Sequence, residues 1–210
     1  MNMKKIAVIG LGGIGSNFIK YFLETIDTFE KKEMIFLKLF DKDIVEEKNI
    51  RRSNQHFRVE DIMMQKAESL AKRYEEYGLD FENIFIDESN VSKLEKYEHL
   101  VMCVDNHKVR KLLYKYALDN EKWLIDLRSQ GTLMAYTIVD GTYDMEYYNN
   151  SIFKNAETME KKGSCQLEAD VVNDNFQNAN KTIAFYVANC IYLQKLRDND
   201  IACKEFKTTF

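Results

Sequence analysis

The chain has 210 residues, 45% of them hydrophobic, which is enough for one domain with a sizeable core. Its net charge of −4 gives no general attraction to nucleic acid or to an anionic membrane, and no apolar run approaches the ~20 residues that span a bilayer. Cys103, Cys165, Cys190 and Cys203 form no C-x-x-C pair, so neither a thiolate zinc site nor a disulfide framework is expected, and a reduced, cytoplasmic protein fits best.

Met1 to Lys5 runs straight into an apolar stretch, Ile6-Ala7-Val8-Ile9, leaving no room for a signal peptide. That stretch reads as a buried strand. It ends at Gly10-Leu11-Gly12-Gly13-Ile14-Gly15-Ser16, which opens a segment with apolar residues at helical spacing: Ile14, Phe18, Ile19, Phe22, Leu23, Ile26 and Phe29. Glycines at a strand-to-helix turn let an anion approach the backbone N–H groups at the positive end of the helix dipole. The turn reads as a nucleotide-phosphate site.

Met34 to Phe40 is a second strand, apolar enough for a parallel sheet covered on both faces, and it ends in Asp41-Lys42-Asp43. Glu46 to Phe57 is a loop or short helix, and Asp61 to Tyr77 a helix. Asn83-Ile84-Phe85-Ile86 reads as a third strand, Ser92 to Tyr97 as a short helix, and His99 to Cys103 as a fourth strand. Asn106 to Leu118 is a helix and Trp123-Leu124-Ile125 a fifth strand. This alternation predicts an α/β, doubly wound, mainly parallel Rossmann-like sheet. After Arg128 the pattern changes. Thr132 to Val139, the turn Asp140-Gly141 and Tyr143 to Tyr148 read as an antiparallel hairpin at one edge. Asn149 to Ser164 is polar and loop-like, Asp174 to Leu196 is a C-terminal helix, and the tail from Asp198 is frayed or docked by Phe206. The whole is expected as one domain, with a nucleotide-binding core over 1–130 and the hairpin, loop and helix over 131–210.

Gly10-x-Gly12-x-x-Gly15 with Asp41 at the end of the second strand also satisfies a dinucleotide fingerprint, so an NAD-dependent oxidoreductase is one reading. The later residues favour a triphosphate. Asn49, Arg51 and Arg52 follow on the loop, Lys66 projects from the next helix, and Asp105 closes the fourth strand where a carboxylate suits a phosphate-bound Mg²⁺. The plain alternatives are that Arg52 and Lys66 are surface charges and that Asp105 caps the following helix.

Taken in order, these pieces resemble the ThiF/MoeB/HesA superfamily, the adenylating core related to ubiquitin-activating enzymes. The matching residues are the glycine turn, Asp41-x-Asp43, Asn49-x-x-Arg52, Lys66 and Asp105-Asn106-x-x-x-Arg110, and the match covers residues 5 to about 140. The resemblance implies an ATP-dependent adenylyltransferase acting on a carboxylate, usually the C-terminus of a small ubiquitin-fold protein. It implies that Gly10, Gly12, Gly13 and Gly15 form the phosphate turn, that Asp41 binds the ribose with Asp43 nearby, and that Asn49, Arg52 and Lys66 contact phosphates. Asn90 and Val91 would lie against adenine, Arg110 completes the motif after Asp105, and Asp105 would hold Mg²⁺. A homodimer is implied too, for which Tyr136, Tyr143, Tyr147 and Tyr148 are candidates.

The sequence departs from the family at several points. Met102 stands where a second acid is common, Ser53 follows the loop arginine in place of glutamine, and where many members carry an N-terminal arm with an arginine for the partner's site only Lys4 and Lys5 are on offer. Arg51 or Arg128 would have to replace that cation, and a nucleotide-binding scaffold without turnover is the remaining reading. Cys165, at the end of the polar loop, is a candidate acyl acceptor or an unreactive thiol. Cys190 falls on the apolar side of the last helix and is expected in the core, and Cys103 is expected to pack.

Overall fold

A computed structural model describes residues 3–27, 35–51, 55–146, 175–196, 201 and 203–209. Strands β1 (Lys4–Ile9), β2 (Ile35–Phe40), β3 (Asp80–Glu82), β4 (His99–Met102), β5 (Trp123–Gln130), β6 (Leu133–Val139) and β7 (Glu205–Thr209) make one sheet in the order β3-β2-β1-β4-β5-β6-β7. β1 to β5 pair in parallel, and β6 runs antiparallel to both of its neighbours. The α-helices among the described residues are α1 (Gly13–Ile26), α2 (Glu47–Arg51), α3 (Lys66–Arg73), α4 (His107–Asp119), α5 (Asn175–Tyr186) and α6 (Leu193–Leu196), with a π-helical stretch, Val187–Tyr192, between the last two. The doubly wound, mainly parallel α/β sheet with an antiparallel edge is as the sequence predicts.

The central strands are buried on both faces, which explains their unbroken apolar runs. One core joins α1 and α5 to one face through Phe18, Phe22, Leu127, Ile183 and Val187. The other joins α4 to the opposite face through Leu100, Met102, Val109, Leu113 and Leu124. Neighbouring residues of β5, Leu124 and Ile125, fall in different cores, as the two-residue period of a strand requires.

Several boundaries differ from the sequence reading. The third strand is Asp80–Glu82 and not Asn83–Ile86. It is an edge strand, and its acids pair with Lys38 of β2 at 3.0 Å from Asp80 and 2.7 Å from Glu82. The helix expected over Asp61 to Tyr77 is the shorter α3, flanked by 3-10 turns at Val59–Asp61 and Glu75–Tyr77. Ser92 to Tyr97 is replaced by a 3-10 turn at Val91–Leu94. The hairpin turns one connection earlier than expected: β5 extends to Gln130, Gly131 takes φ +56°, and β6 returns.

Asp140-Gly141 leads out of the sheet, and Tyr143 packs edge-on against Tyr114. The outer partner of β6 is the tail, docked as β7, with the Phe206 ring stacked on both Tyr136 and Tyr186, which also touch each other. Tyr136 is therefore wholly buried within its own chain and its hydroxyl donates to the Cys203 carbonyl, so it supplies no dimer surface. Tyr147, Tyr148, the polar loop and Cys165 lie outside the described residues. Cys190 is exposed, against expectation. The π-helical stretch, with one more residue per turn, shifts the apolar phase so that Val187, Ala188, Ile191 and Tyr192 face inward instead. Cys103 does pack: it touches the first core, and burial pushes its thiol well above the ordinary range.

Candidate functional site

A cleft of about 1090 Å³ runs across the carboxyl ends of the strands, the position at which open α/β sheets bind ligands. The glycine turn forms its floor. Gly10 takes φ +87°, and a side chain there would press within 3.0 Å of the Cys103 backbone. At Gly15 a Cβ would lie 1.9 Å from the Gly10 carbonyl oxygen, and at Gly13 it would lie 2.3 Å from the Asn180 amide nitrogen. Gly10 and Gly15 are thus required by backbone packing, whereas at Gly13 the obstacle is the end of the Asn180 side chain. Gly12 differs: nothing among the described residues lies within 4 Å of its would-be Cβ, and it lines the cleft. Gly12 is also the N-cap of α1, whose amino end carries no side-chain cap, so the first N–H groups of the helix remain for an anion.

The flank beyond β2 is held to this floor by backbone contacts. Asp41 accepts from the Leu11 N–H at 2.6 Å and from the Asp43 N–H at 2.8 Å. Burial pushes the Asp41 carboxyl up from its ordinary range, against the pull of Lys66 and the two N–H donors. Lys66 sits at the start of α3, only 7% exposed, 3.3 Å from Asp43, and lines the cleft. A solvated surface charge is not what the structure places there. Asn49 is buried, accepts from the Glu46 N–H at 2.8 Å, and lines the same wall. Arg52 lies outside the described residues. The segment after it is tied back to the turn: Ser16 Oγ donates to the Gly12 carbonyl and accepts from the His56 N–H at 2.9 Å.

The other flank follows β4. Asp105 is exposed on the cleft wall, and no partner for its carboxylate occurs among the described residues. It does not cap α4. That task falls to Asn106, whose Oδ1 accepts from the Lys108 and Val109 N–H groups at 2.9 and 3.1 Å. Arg110 is buried, pairs with Asp126 at 3.1 Å, and donates to the Val104 carbonyl, so it braces the loop that carries Asp105. Asn90 and Val91 do not line the cleft. The Asn90 side chain bridges Asp87 and Phe85 within its own loop, and Ile84, Phe85 and Ile86 form that wall instead.

Asn180 is a site residue that the sequence reading missed. It is 5% exposed on α5, accepts from Ser129 Oγ, and presses its amide against Gly13 at the cleft. The available signal was a polar residue beside Ala179 on the apolar face of a helix. Among the described residues no three His, Cys, Asp or Glu side chains gather as a metal cage. A cation at Asp105 would therefore complete its shell with ligand oxygens, which fits Mg²⁺ carried on phosphates.

A sequence model described as the ThiF family matches residues 1–192. A search of curated proteins found no match. Among solved structures, E. coli MccB with succinimide is similar at TM-score 0.72 and 13% identity, over 99% of this chain and 61% of that one. E. coli MccB with AMPCPP and MccA gives TM-score 0.72 and 15% identity over the same shares. PaaA gives TM-score 0.68 and 15% identity, again over 99% and 61%. At these identities the likeness is one of fold, and the chain spans about three fifths of the length of those proteins.

Proposed function

The chain belongs to the ThiF family, and from that membership we propose that its cleft binds ATP and transfers the adenylyl group to a carboxylate. The observation that carries this reading is Gly12. It is the one glycine of the turn whose missing side chain answers to no contact in the described chain, only to open space at an uncapped helix end. A phosphate fits that space and that charge.

In this reading the α-phosphate lies on the turn, the ribose hydroxyls donate to Asp41, and Asn49, Lys66 and Arg52 take the outer phosphates. Asp105 would hold Mg²⁺, which supplies charge neutralisation on the phosphates. A carboxylate oxygen attacks the α-phosphorus, the bond to the β-phosphate bridging oxygen breaks, and pyrophosphate leaves with that electron pair. A carboxylate is already a nucleophile, so no general base is required. What the chain must supply is placement and the cancelling of negative charge as two anions meet. The acceptor class is the C-terminus of a small ubiquitin-fold protein or another carboxylate.

The test is ATP–pyrophosphate exchange across a panel of ubiquitin-fold proteins, short peptides and free acids. Exchange that depends on one panel member supports the reading. Absence of exchange with every member, together with no ATP binding, would remove it.

A further inference from the structure

Asp126 of β5 is wholly buried between two guanidinium groups, Arg110 at 3.1 Å and Arg128 at 3.5 Å, with the Tyr114 hydroxyl donating at 3.0 Å. Among the described residues one carboxylate faces both of these cations, so a positive charge is left over at the carboxyl end of β5. Arg110 is the cation already spent, since it is the nearer, is the more deeply buried and also holds the Val104 carbonyl. Arg128 is the one in surplus. Its side chain is 20% exposed and lines the cleft, while its buried Nε lies 3.5 Å from Asp126 without forming a hydrogen bond. A further N–H donates to the Thr137 hydroxyl, which fixes the plane of the guanidinium. An under-satisfied, partly buried cation is costly to the fold unless an anion meets it.

The place of Arg128 selects the anion. Lys66, Asn49 and Asp41 belong to the β2 flank, and β1 and β4 separate that flank from β5. Three strand spacings put the two flanks roughly 14 Å apart, so Arg128 serves a second anion and not the one beside Lys66. A planar fork held at one edge suits a carboxylate, which it can meet with two parallel N–H bonds.

We propose that Arg128 is the residue of this cleft that receives the substrate's carboxylate, a role that rests on the adenylating reading above.

The test uses the full chain with Mg²⁺ and saturating α,β-methylene-ATP, and titrates glycylglycine, and separately glycylglycinamide, which lacks the carboxylate, by ligand-observed NMR. The wild type should bind the dipeptide and not its amide. Arg128→Gln should weaken the dipeptide by about tenfold or more, with α,β-methylene-ATP affinity within about twofold. Arg128→Lys, which keeps the charge and loses the fork, should fall between. Equal binding of dipeptide and amide, unchanged dipeptide affinity in Arg128→Gln, or a tenfold loss of nucleotide affinity in a folded variant would each overturn the proposal. If Arg128→Gln does not fold, Arg128→Lys decides: undiminished dipeptide binding overturns it. Failure of the wild type to bind α,β-methylene-ATP would instead overturn the adenylating reading, and the proposal with it.

Discussion

Asp41, at the end of β2, accepts the Leu11 N–H of the glycine turn at 2.6 Å, so the acid and the turn form one rigid unit. Its second oxygen takes the Asp43 N–H. Because burial raises the Asp41 carboxyl, the folded protein binds its proton more tightly than the unfolded chain does. The ionised form therefore costs stability at neutral pH, and that cost vanishes as pH falls below the ordinary carboxyl range. Asp41→Asn removes the cost but sets an amide against the Asp43 N–H, so thermal stability should shift little. Nucleotide affinity, measured calorimetrically, should fall by about tenfold through loss of an acceptor for the ribose.

The glycines of the turn should separate into two classes. Gly15→Ala drives a methyl to 1.9 Å from a carbonyl oxygen, and a backbone shift of that kind should destabilise the protein by about 2 kcal/mol or more in denaturant melts. Gly12→Ala meets nothing in the described chain, so it should melt within about 1 kcal/mol of wild type yet lose nucleotide binding.

Asp105→Ala should abolish ATP–pyrophosphate exchange with the fold intact. The carboxylate is exposed, and Asn106 caps α4 without it. Removing a neighbouring cation is a milder loss. Lys66→Met forfeits one charge-assisted contact, about 1.5–3 kcal/mol, and should slow exchange by roughly ten- to a hundredfold. Normal exchange in the Asp105 variant would detach the metal from this residue.

His56 ties the segment after Arg52 to Ser16, and its ring meets the Tyr74 hydroxyl at 2.7 Å. Burial, and then the cations Arg73, Lys20 and Arg58, hold the imidazole down to about 4. The unfolded chain therefore takes up this proton first as the solution is acidified. The stability held by neutral His56 is complete above the ordinary imidazole range and is lost between about pH 6.5 and pH 4, an effect on the order of 2–3 kcal/mol. Urea melts of His56→Gln at about pH 7 and pH 4.5 should show a smaller drop than wild type by that amount.

The parts of the fold legible in the sequence were those set by local pattern. β1 and β4 end in apolar runs, β2 is apolar but for Lys38, and α1 carries its core residues at helical spacing from Ile14 to Ile26. Where distant partners decide, the pattern misled. Ile84-Phe85-Ile86 is apolar because it walls the cleft, while the strand itself is the charged Asp80–Glu82, whose acids answer Lys38. β7 exists because β6 offers it an edge and Tyr136 offers Phe206 a ring, neither of which the tail declares. The cleft was legible on its Asp41, Lys66 and Asp105 walls. Asn180 was not, since a polar residue on a helix reveals nothing of the glycine opposite it until α5 packs against α1.

The central claim is that the open space at Gly12 receives the phosphates of ATP. Calorimetric titration of wild type and Gly12→Ala with ATP·Mg²⁺, and of wild type with NAD, tests it directly. The account predicts one ATP site per chain, its loss in Gly12→Ala without loss of fold, and no comparable binding of NAD. Tighter binding of NAD than of ATP, or ATP binding undiminished in Gly12→Ala, would contradict it.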